Sequence, residues 1–250
     1  MYTVHAIRYA TREGLRGQHF LGYDDTWAEP HPTAYYVWLA VSDTRAVVLD
    51  AGLEPDRAPA AIAFDCTPHE GVASLGIDPA DVDTLVLSHL HYDHTGAAAR
   101  FPAARRVVQR AERDYWTGPV AKRITREHWL RSESDLATVL APDRLDLVDG
   151  EAEIAPGLSV HLVGGHTAGM QLTRVWTARG WVVLASDAIH FTENLEQDRP
   201  GPILHSMPGI YAAYDRIREL ADSAELIVPG HDPQVMDRFP RVGPHAVRIA

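Results

Sequence analysis

The chain has 250 residues, 46% of them hydrophobic, which suits one large domain with a sizeable core. Its formal net charge of −11 argues against a nucleic-acid partner held by phosphate contacts. Cys66 is the only cysteine, so neither a disulfide framework nor a thiolate metal site is expected. The opening Met1-Tyr2-Thr3-Val4-His5-Ala6 lacks the basic-then-apolar build of a secretory signal, and no apolar run approaches membrane-spanning length. A cytoplasmic protein without a membrane partner is the expectation.

Residues 12–32 read as a long loop with little periodicity, and loops of that length are often functional. Strands follow at 34–41 and 46–50, then a helix at 57–64. The apolar run 84–88 is the next strand, and residues 89–94 break its pattern with polar side chains. Beyond it come a short helix at 97–100, a strand at 106–109 and helices at 111–116 and 127–139. The basic cluster 122–126 is flanked by acids and reads as a solvated helix face. Strands at 158–163, 172–177 and 181–186 precede a helix at 208–221, where Ile210, Tyr214, Ile217 and Leu220 keep helical spacing. A last strand spans 225–228. No Ser/Gly/Pro-rich linker divides the sequence, so residues 1–250 are read as a single domain. Hairpins with helices between them suggest packed sheets with helices outside.

The chemistry concentrates in His89-Leu90-His91-Tyr92-Asp93-His94, where four of six residues are metal-ligand types. In an extended run, alternate side chains share a face, so His89 and His91 are expected to point the same way. A turn at Asp93-His94 would aim the second pair at a neighbouring point. One segment can then supply two ligands to each of two adjacent ions. The competing reading is a set of hydrogen-bonded surface or core histidines, but crowded imidazoles repel once protonated. Three later strands each end in one more ligand type: His166 after 158–163, Asp187 after 181–186, and His231 after 225–228. Glycines flank His166 and His231 and permit sharp turns there.

These residues, in this order, resemble the metallo-β-lactamase superfamily of metal-dependent hydrolases. The resemblance runs from Val48-Leu49-Asp50-Ala51-Gly52 to His231. It implies an α/β (α+β) fold, an αββα sandwich of two mixed β-sheets flanked by helices, with a binuclear site along one edge. By the same resemblance, one ion takes His89, His91 and His166. The other takes Asp93, His94 and His231, with Asp187 bridging. Asp50 matches an acidic position behind the ligands, although Ala51 replaces the family's usual threonine, and an ordinary turn aspartate is the competing reading. The ions are expected to be zinc, with manganese, cobalt or iron also compatible with nitrogen and carboxylate donors.

Within the family, Asp187 points away from true β-lactamases, and His91 points away from the di-iron members that carry glutamate there. Glyoxalase-type thioesterases share the ligands but continue well past the last one, whereas 19 residues follow His231 here. The stretches around His89–Gly96, Ser186-Asp187-Ala188, Thr192-Glu193-Asn194 and Gly230-His231-Asp232 are similar to the N-acyl homoserine lactonases. That resemblance implies a small-molecule lactone substrate, opened by a hydroxide shared between the ions, with quorum quenching as the outcome. It makes Asp93 the proton carrier and leaves a homodimer open. One position departs: those lactonases usually carry a tyrosine three residues after the bridging aspartate, where this chain has His190. Either His190 assists the substrate carbonyl in its place or the substrate differs. Met170 likewise stands where relatives often have a polar residue.

Phe20, Trp27, Phe64, Trp116, Phe191 and Met207 are candidate acyl-chain contacts, with core packing as the competing reading. A hydrolase of another lactone, ester or thioester is the alternative function. A non-catalytic metal-binding regulator and a mononuclear iron oxygenase are further alternatives.

Overall fold

The structure, a computed structural model, describes residues 1–250. Thirteen strands form two mixed sheets. The first holds β1 (Thr3–Arg12), β2 (Thr33–Ser42), β3 (Arg45–Leu49), β4 (Ile62–Phe64), β5 (Thr84–Val86), β6 (Arg105–Gln109), β7 (Leu145–Val148) and β13 (Ala246–Arg248). Their order is β13-β1-β2-β3-β5-β6-β7, with β4 paired to the end of β1. The second holds β8 (Glu151–Ala155), β9 (Leu158–Leu162), β10 (Gln171–Thr177), β11 (Gly180–Ser186) and β12 (Ile227–Pro229), in the order β12-β11-β10-β9-β8.

Strand β2 shows why the sheets pack. Its run Thr-Ala-Tyr-Tyr-Val-Trp-Leu-Ala-Val is apolar on both faces, as a central strand covered twice must be. Ala34, Tyr36, Trp38 and Ala40 enter the core between the sheets, with Val47, Val86, Val160, Val175 and Leu184. Tyr35, Val37 and Leu39 face the other way, into a core closed by the outer helices through Val72, Leu136 and Val139. On the far side of the second sheet, Ile210, Ala213, Tyr214, Ile217 and Leu220 cover Leu172, Val183 and Ala185. Helix, sheet, sheet and helix are thus stacked in four layers, the expected αββα sandwich.

The helices are α1 (Pro68–Ala73), α2 (Tyr92–Thr95), α3 (Arg110–Thr117), α4 (Pro119–Arg123), α5 (Glu133–Val139), α6 (Thr192–Glu196), α7 (Met207–Leu220) and α8 (Val235–Arg238). Several sequence-based boundaries need correction. The helix expected over 57–64 is a 3-10 turn at Pro55–Arg57 followed by strand β4, because Pro59 confines Ala58 to extended backbone. The helix expected over 127–139 is broken: Thr125–Leu130 is a 3-10 stretch, and Ser132 caps a fresh start by accepting from Asp135 N. The strand expected at 225–228 opens with a 3-10 turn and runs Ile227–Pro229. Strands β1, β7, β8 and β13 and helix α1 had no sequence assignment, and the loop expected over 12–32 contains a 3-10 turn at Arg16–Gln18.

Strands β3 and β5 run parallel in one sheet, as do β11 and β12 in the other. Each of the four is followed at its carboxyl end by residues that meet at one edge: Asp50, His89–His94, Asp187 and His231. Open α/β sheets commonly place ligands beyond the carboxyl ends of parallel strands, where connecting loops are free to carry side chains.

Candidate metal centre

Strand β5 stops at Val86, sooner than the sequence suggested, and residues 87–91 are irregular. His89 and His91 therefore share a direction through a shaped turn rather than a pleat. That turn is held by Glu112, whose buried carboxylate accepts from Leu90 N at 3.0 Å, Trp116 Nε1 at 2.8 Å and Gly169 N at 2.7 Å. One side chain of α3 thereby ties the His89–His91 turn to the loop that carries His166. His91 then caps α2, and that single helical turn presents Asp93 and His94.

The seven expected residues converge. His89, His91, His166 and Asp187 form one group of donor atoms, and Asp93, His94 and His231 form the other, each within 4.8 Å. His166 Nε2 lies 3.1 Å from His91 Nδ1 and 3.5 Å from Asp187 Oδ2, with His89 Nε2 at 3.9 Å from the same oxygen. On the other side, Asp187 Oδ1 is 3.1 Å from His231 Nε2 and 3.4 Å from His94 Nε2. Asp93 Oδ2 stands 3.7 Å from His94 Nε2 and 3.8 Å from His231 Nε2. Asp187 thus sits between the groups, one oxygen toward each.

The buried atoms reveal what the cluster lacks. His89 Nε2, His94 Nε2 and Asp187 Oδ1 are shielded from solvent without a hydrogen-bond partner. Leaving such groups unmet costs about 1–3 kcal/mol each, so native proteins rarely do it. The opposite ring nitrogens are all occupied. His94 Nδ1 lies 2.8 Å from Asp50 Oδ2, His166 Nδ1 2.9 Å from Ile203 O, His231 Nδ1 2.8 Å from Ala34 O, and His89 Nδ1 2.9 Å from Ser88 Oγ. Oxygen acceptors at Nδ1 fix the tautomer and leave the Nε2 lone pair free, the arrangement metal-ligating histidines use. Burial drives His89 and His91 well below the ordinary imidazole value and His166 to about 3, so all three stay neutral. The donor set therefore fits a pair of divalent cations.

Asp50 is no ordinary turn residue. At φ 57° it accepts from Ser88 N at 2.7 Å, Ser88 Oγ at 2.8 Å and Ser186 Oγ at 2.9 Å, while orienting His94. Ala51 is fully buried beside it.

The centre opens on a cavity of about 100 Å³, lined by Asp93, Asp187 and His190 among others. A second lobe of about 230 Å³ shares His91, Trp129, Leu130, His166, Pro202 and Ile203 with the first. His190 joins the metal centre: its Nε2 is 3.3 Å from Asp187 Oδ2, and its ring stacks on His231 at 5.5 Å between centroids. Of the acyl-contact candidates, Phe191 lines the first lobe and Trp116 the second. Phe20 is buried behind Phe191, Phe64 packs on Tyr9, Trp27 stacks near Tyr23, and Met207 stands exposed at the start of α7. Met170 is fully buried in the core beneath α7. Glu112, Arg12, Tyr35 and Trp129 had no place in the sequence reading. Only Glu112 left a trace there, as a carboxylate on the apolar side of a short helix.

Residues 31–231 match the Metallo-beta-lactamase superfamily. The chain belongs to that superfamily. Among curated relatives, N-acyl homoserine lactonase AttM of Azorhizobium caulinodans is 34% identical over 67% of this chain, and N-acyl homoserine lactonase AiiB of Agrobacterium fabrum is 33% identical over 70%. The alignments span 65% and 66% of those relatives' own lengths. Among solved structures, a mutant of AiiA from B. thuringiensis with N-decanoyl-L-homoserine bound at its active site superposes with a TM-score of 0.78. It is 19% identical over 98% of both chains. AidC, a dizinc quorum-quenching lactonase in complex with its product, gives 0.74 at 18% identity, covering 98% of this chain and 92% of its own. These structural likenesses establish the metallo-beta-lactamase fold, two mixed sheets flanked by helices.

Proposed function

We propose that this protein is a metal-dependent lactonase that opens N-acyl homoserine lactones. The observation that carries the reading is the convergence of seven donors on paired groups, three of whose inward atoms (His89 Nε2, His94 Nε2 and Asp187 Oδ1) are buried and unpartnered. The names of its relatives support the substrate, and AidC supports zinc as the metal. His89, His91 and His166 would hold one ion, and Asp93, His94 and His231 the other, with Asp187 shared.

Such paired ions supply a water of lowered pKa and polarisation of the scissile carbonyl. The chain does the rest. Asp93 stands at the cavity wall with its side chain only 12% exposed, placed to take a proton from the attacking water and return it to the departing ring oxygen. His190 lines the cavity with its Nε2 3.3 Å from Asp187 Oδ2, and a ring N–H donor there would meet negative charge developing on the carbonyl oxygen. That assigns to His190 the hydrogen bond that the tyrosine of related lactonases makes. Burial of both ligand groups keeps bulk water from competing for the donors.

Ring opening releases acid, so a pH-indicator assay of zinc-loaded protein tests the reading directly. The panel should hold short and long acyl homoserine lactones, simple γ- and δ-lactones, an aryl ester and a thioester. Turnover confined to the ester and thioester rejects the lactonase assignment and leaves the binuclear centre intact. Metal analysis should give two equivalents per chain.

A further inference from the structure

Arg12 ends strand β1 and borders the cavity beside the metal centre. Its Nε is buried with no hydrogen-bond partner, and no carboxylate lies within ion-pair distance of its guanidinium. The Nε atoms of Arg106, Arg113 and Arg131 are likewise buried without a hydrogen-bond partner, but each of those side chains has a carboxylate within ion-pair distance, which Arg12 lacks. Among the other half-buried arginines, Arg8 pairs with Asp65, Arg16 with Glu193 and Arg199 with Asp24, while Arg174 and Arg238 donate to backbone carbonyls. A guanidinium is all donor and no acceptor, and a half-buried one without an oxygen partner is costly.

The backbone beneath Arg12 is fixed, since Arg12 pairs with Thr33 on one side and Ile62 on the other. Its charge acts on Tyr35, Tyr92 and His19, which also line the first lobe. The same lobe is also lined by the apolar side chains of Trp129, Leu130 and Ile203. The lobe therefore combines a cationic, donor-rich group of side chains with apolar ones and with residues of the metal centre.

Taking the lactonase reading as given, we propose that Arg12 is a specificity-determining residue that grips the amide carbonyl oxygen of the substrate's acyl group. It would thereby favour lactones bearing an acylamino substituent over lactones bearing a plain alkyl chain. A carboxylate substituent would be drawn to the ions themselves, whereas a neutral amide oxygen is left to the guanidinium. A charged donor to such an oxygen holds it more tightly than a neutral one, and a rigid strand keeps the donor in place before substrate arrives.

The test compares kcat/KM for N-hexanoyl homoserine lactone with kcat/KM for γ-decalactone, which keeps the ring and an alkyl chain but has no amide. In Arg12→Met the ratio of the two should fall about tenfold to a hundredfold, mostly through KM for the amide substrate. Arg12→Lys keeps the charge but loses the fork, and should give an intermediate ratio. Two metal equivalents in each variant exclude a collapsed centre, and Arg12→Lys carries the test alone should Arg12→Met not fold. A ratio unmoved in an active variant overturns the assignment and spares the lactonase reading. Wild-type turnover of γ-decalactone alone does the same. A wild type inert toward both lactones removes the lactonase reading, and this assignment with it.

Discussion

Glu112 and Asp50 touch no substrate, yet each sets several of the groups that would. Glu112 receives three buried donors, two from loops and one from Trp116 on its own helix, and burial raises its carboxyl above the usual value despite them. Glu112→Gln replaces one accepting oxygen with a donor, so at least one buried N–H loses its partner. We expect a loss of about 1–3 kcal/mol in denaturant stability together with reduced metal occupancy. Unchanged metal content would show that the loops are held by other contacts. Asp93→Asn keeps the shape and a donor atom but cannot carry a proton. The variant should fold, load metal and lose most of its turnover, and near-wild-type rates in the metal-loaded variant would reject Asp93 as the proton carrier. For His190, replacement by Phe should lower kcat about 10²-fold, the usual cost of one donor to a developing oxyanion, while Tyr should recover much of it. Equal rates in the Phe and wild-type proteins would remove His190 from the reaction.

At the scale of elements, the ligands sit on turns that only close backbone approach allows. A Cβ added to Gly230 would stand 2.7 Å from Asp187 Oδ1 and from the Ser186 carbonyl carbon. Gly230→Ala must therefore push β12 and β11 apart just where His231 and Asp187 meet. The expected result is loss of metal stoichiometry with an essentially native far-UV circular dichroism spectrum. Full metal loading in that variant would mean that the turn can relax. The same scale explains the uneven legibility of the sequence. Helix α7 was readable because Ile210, Tyr214, Ile217 and Leu220 repeat at helical spacing over a long stretch. Strand β1 was not, since its exposed and buried positions do not alternate, although Val4, Ala6, Ile7 and Tyr9 are fully buried in the two cores. Helix α1 is six residues long and owes its start to a capping box between Thr67 and Glu70 rather than to periodicity.

Across the whole molecule, the proposed metal centre joins two sheets that also meet through apolar packing and hydrogen bonds such as Gln171 Nε2 donating to Leu87 O at 2.7 Å and Ser186 Oγ donating to Asp50 Oδ2 at 2.9 Å. Bound ions should therefore stabilise the fold, and chelation should lower Tm. The effect depends on pH. In the ion-free protein, burial favours neutral His94 and His231. Asp187 outweighs it, aided by Asp50 and Asp93 at His94 and by Asp93 at His231, and holds both above the ordinary 6.5. Their protonation stabilises the ion-free fold fully below that value, and the benefit fades as pH rises through the raised values. Ion binding requires the same imidazoles neutral, so it strengthens over that range. The gap in Tm between zinc-loaded and chelator-treated protein should widen from about pH 6 to pH 8. A constant gap would mean that no proton is displaced at these two ligands.

The amino-acid sequence alone determined the ligand types, their order and the strand ends that carry them, because metal chemistry restricts residue identity and strands punctuate hydrophobic patterns. The hydrophobic patterns indicated packed sheets with helices outside, and the αββα order came from the resemblance to the superfamily. Only the tertiary structure decided which side chains hold the ligands in place. Glu112, Asp50 and Arg12 act across separations of tens of residues, and a carboxylate or guanidinium has the same local signature whether it faces solvent or a cavity. What distinguishes them is the partner that folding brings, or in the case of Arg12, withholds.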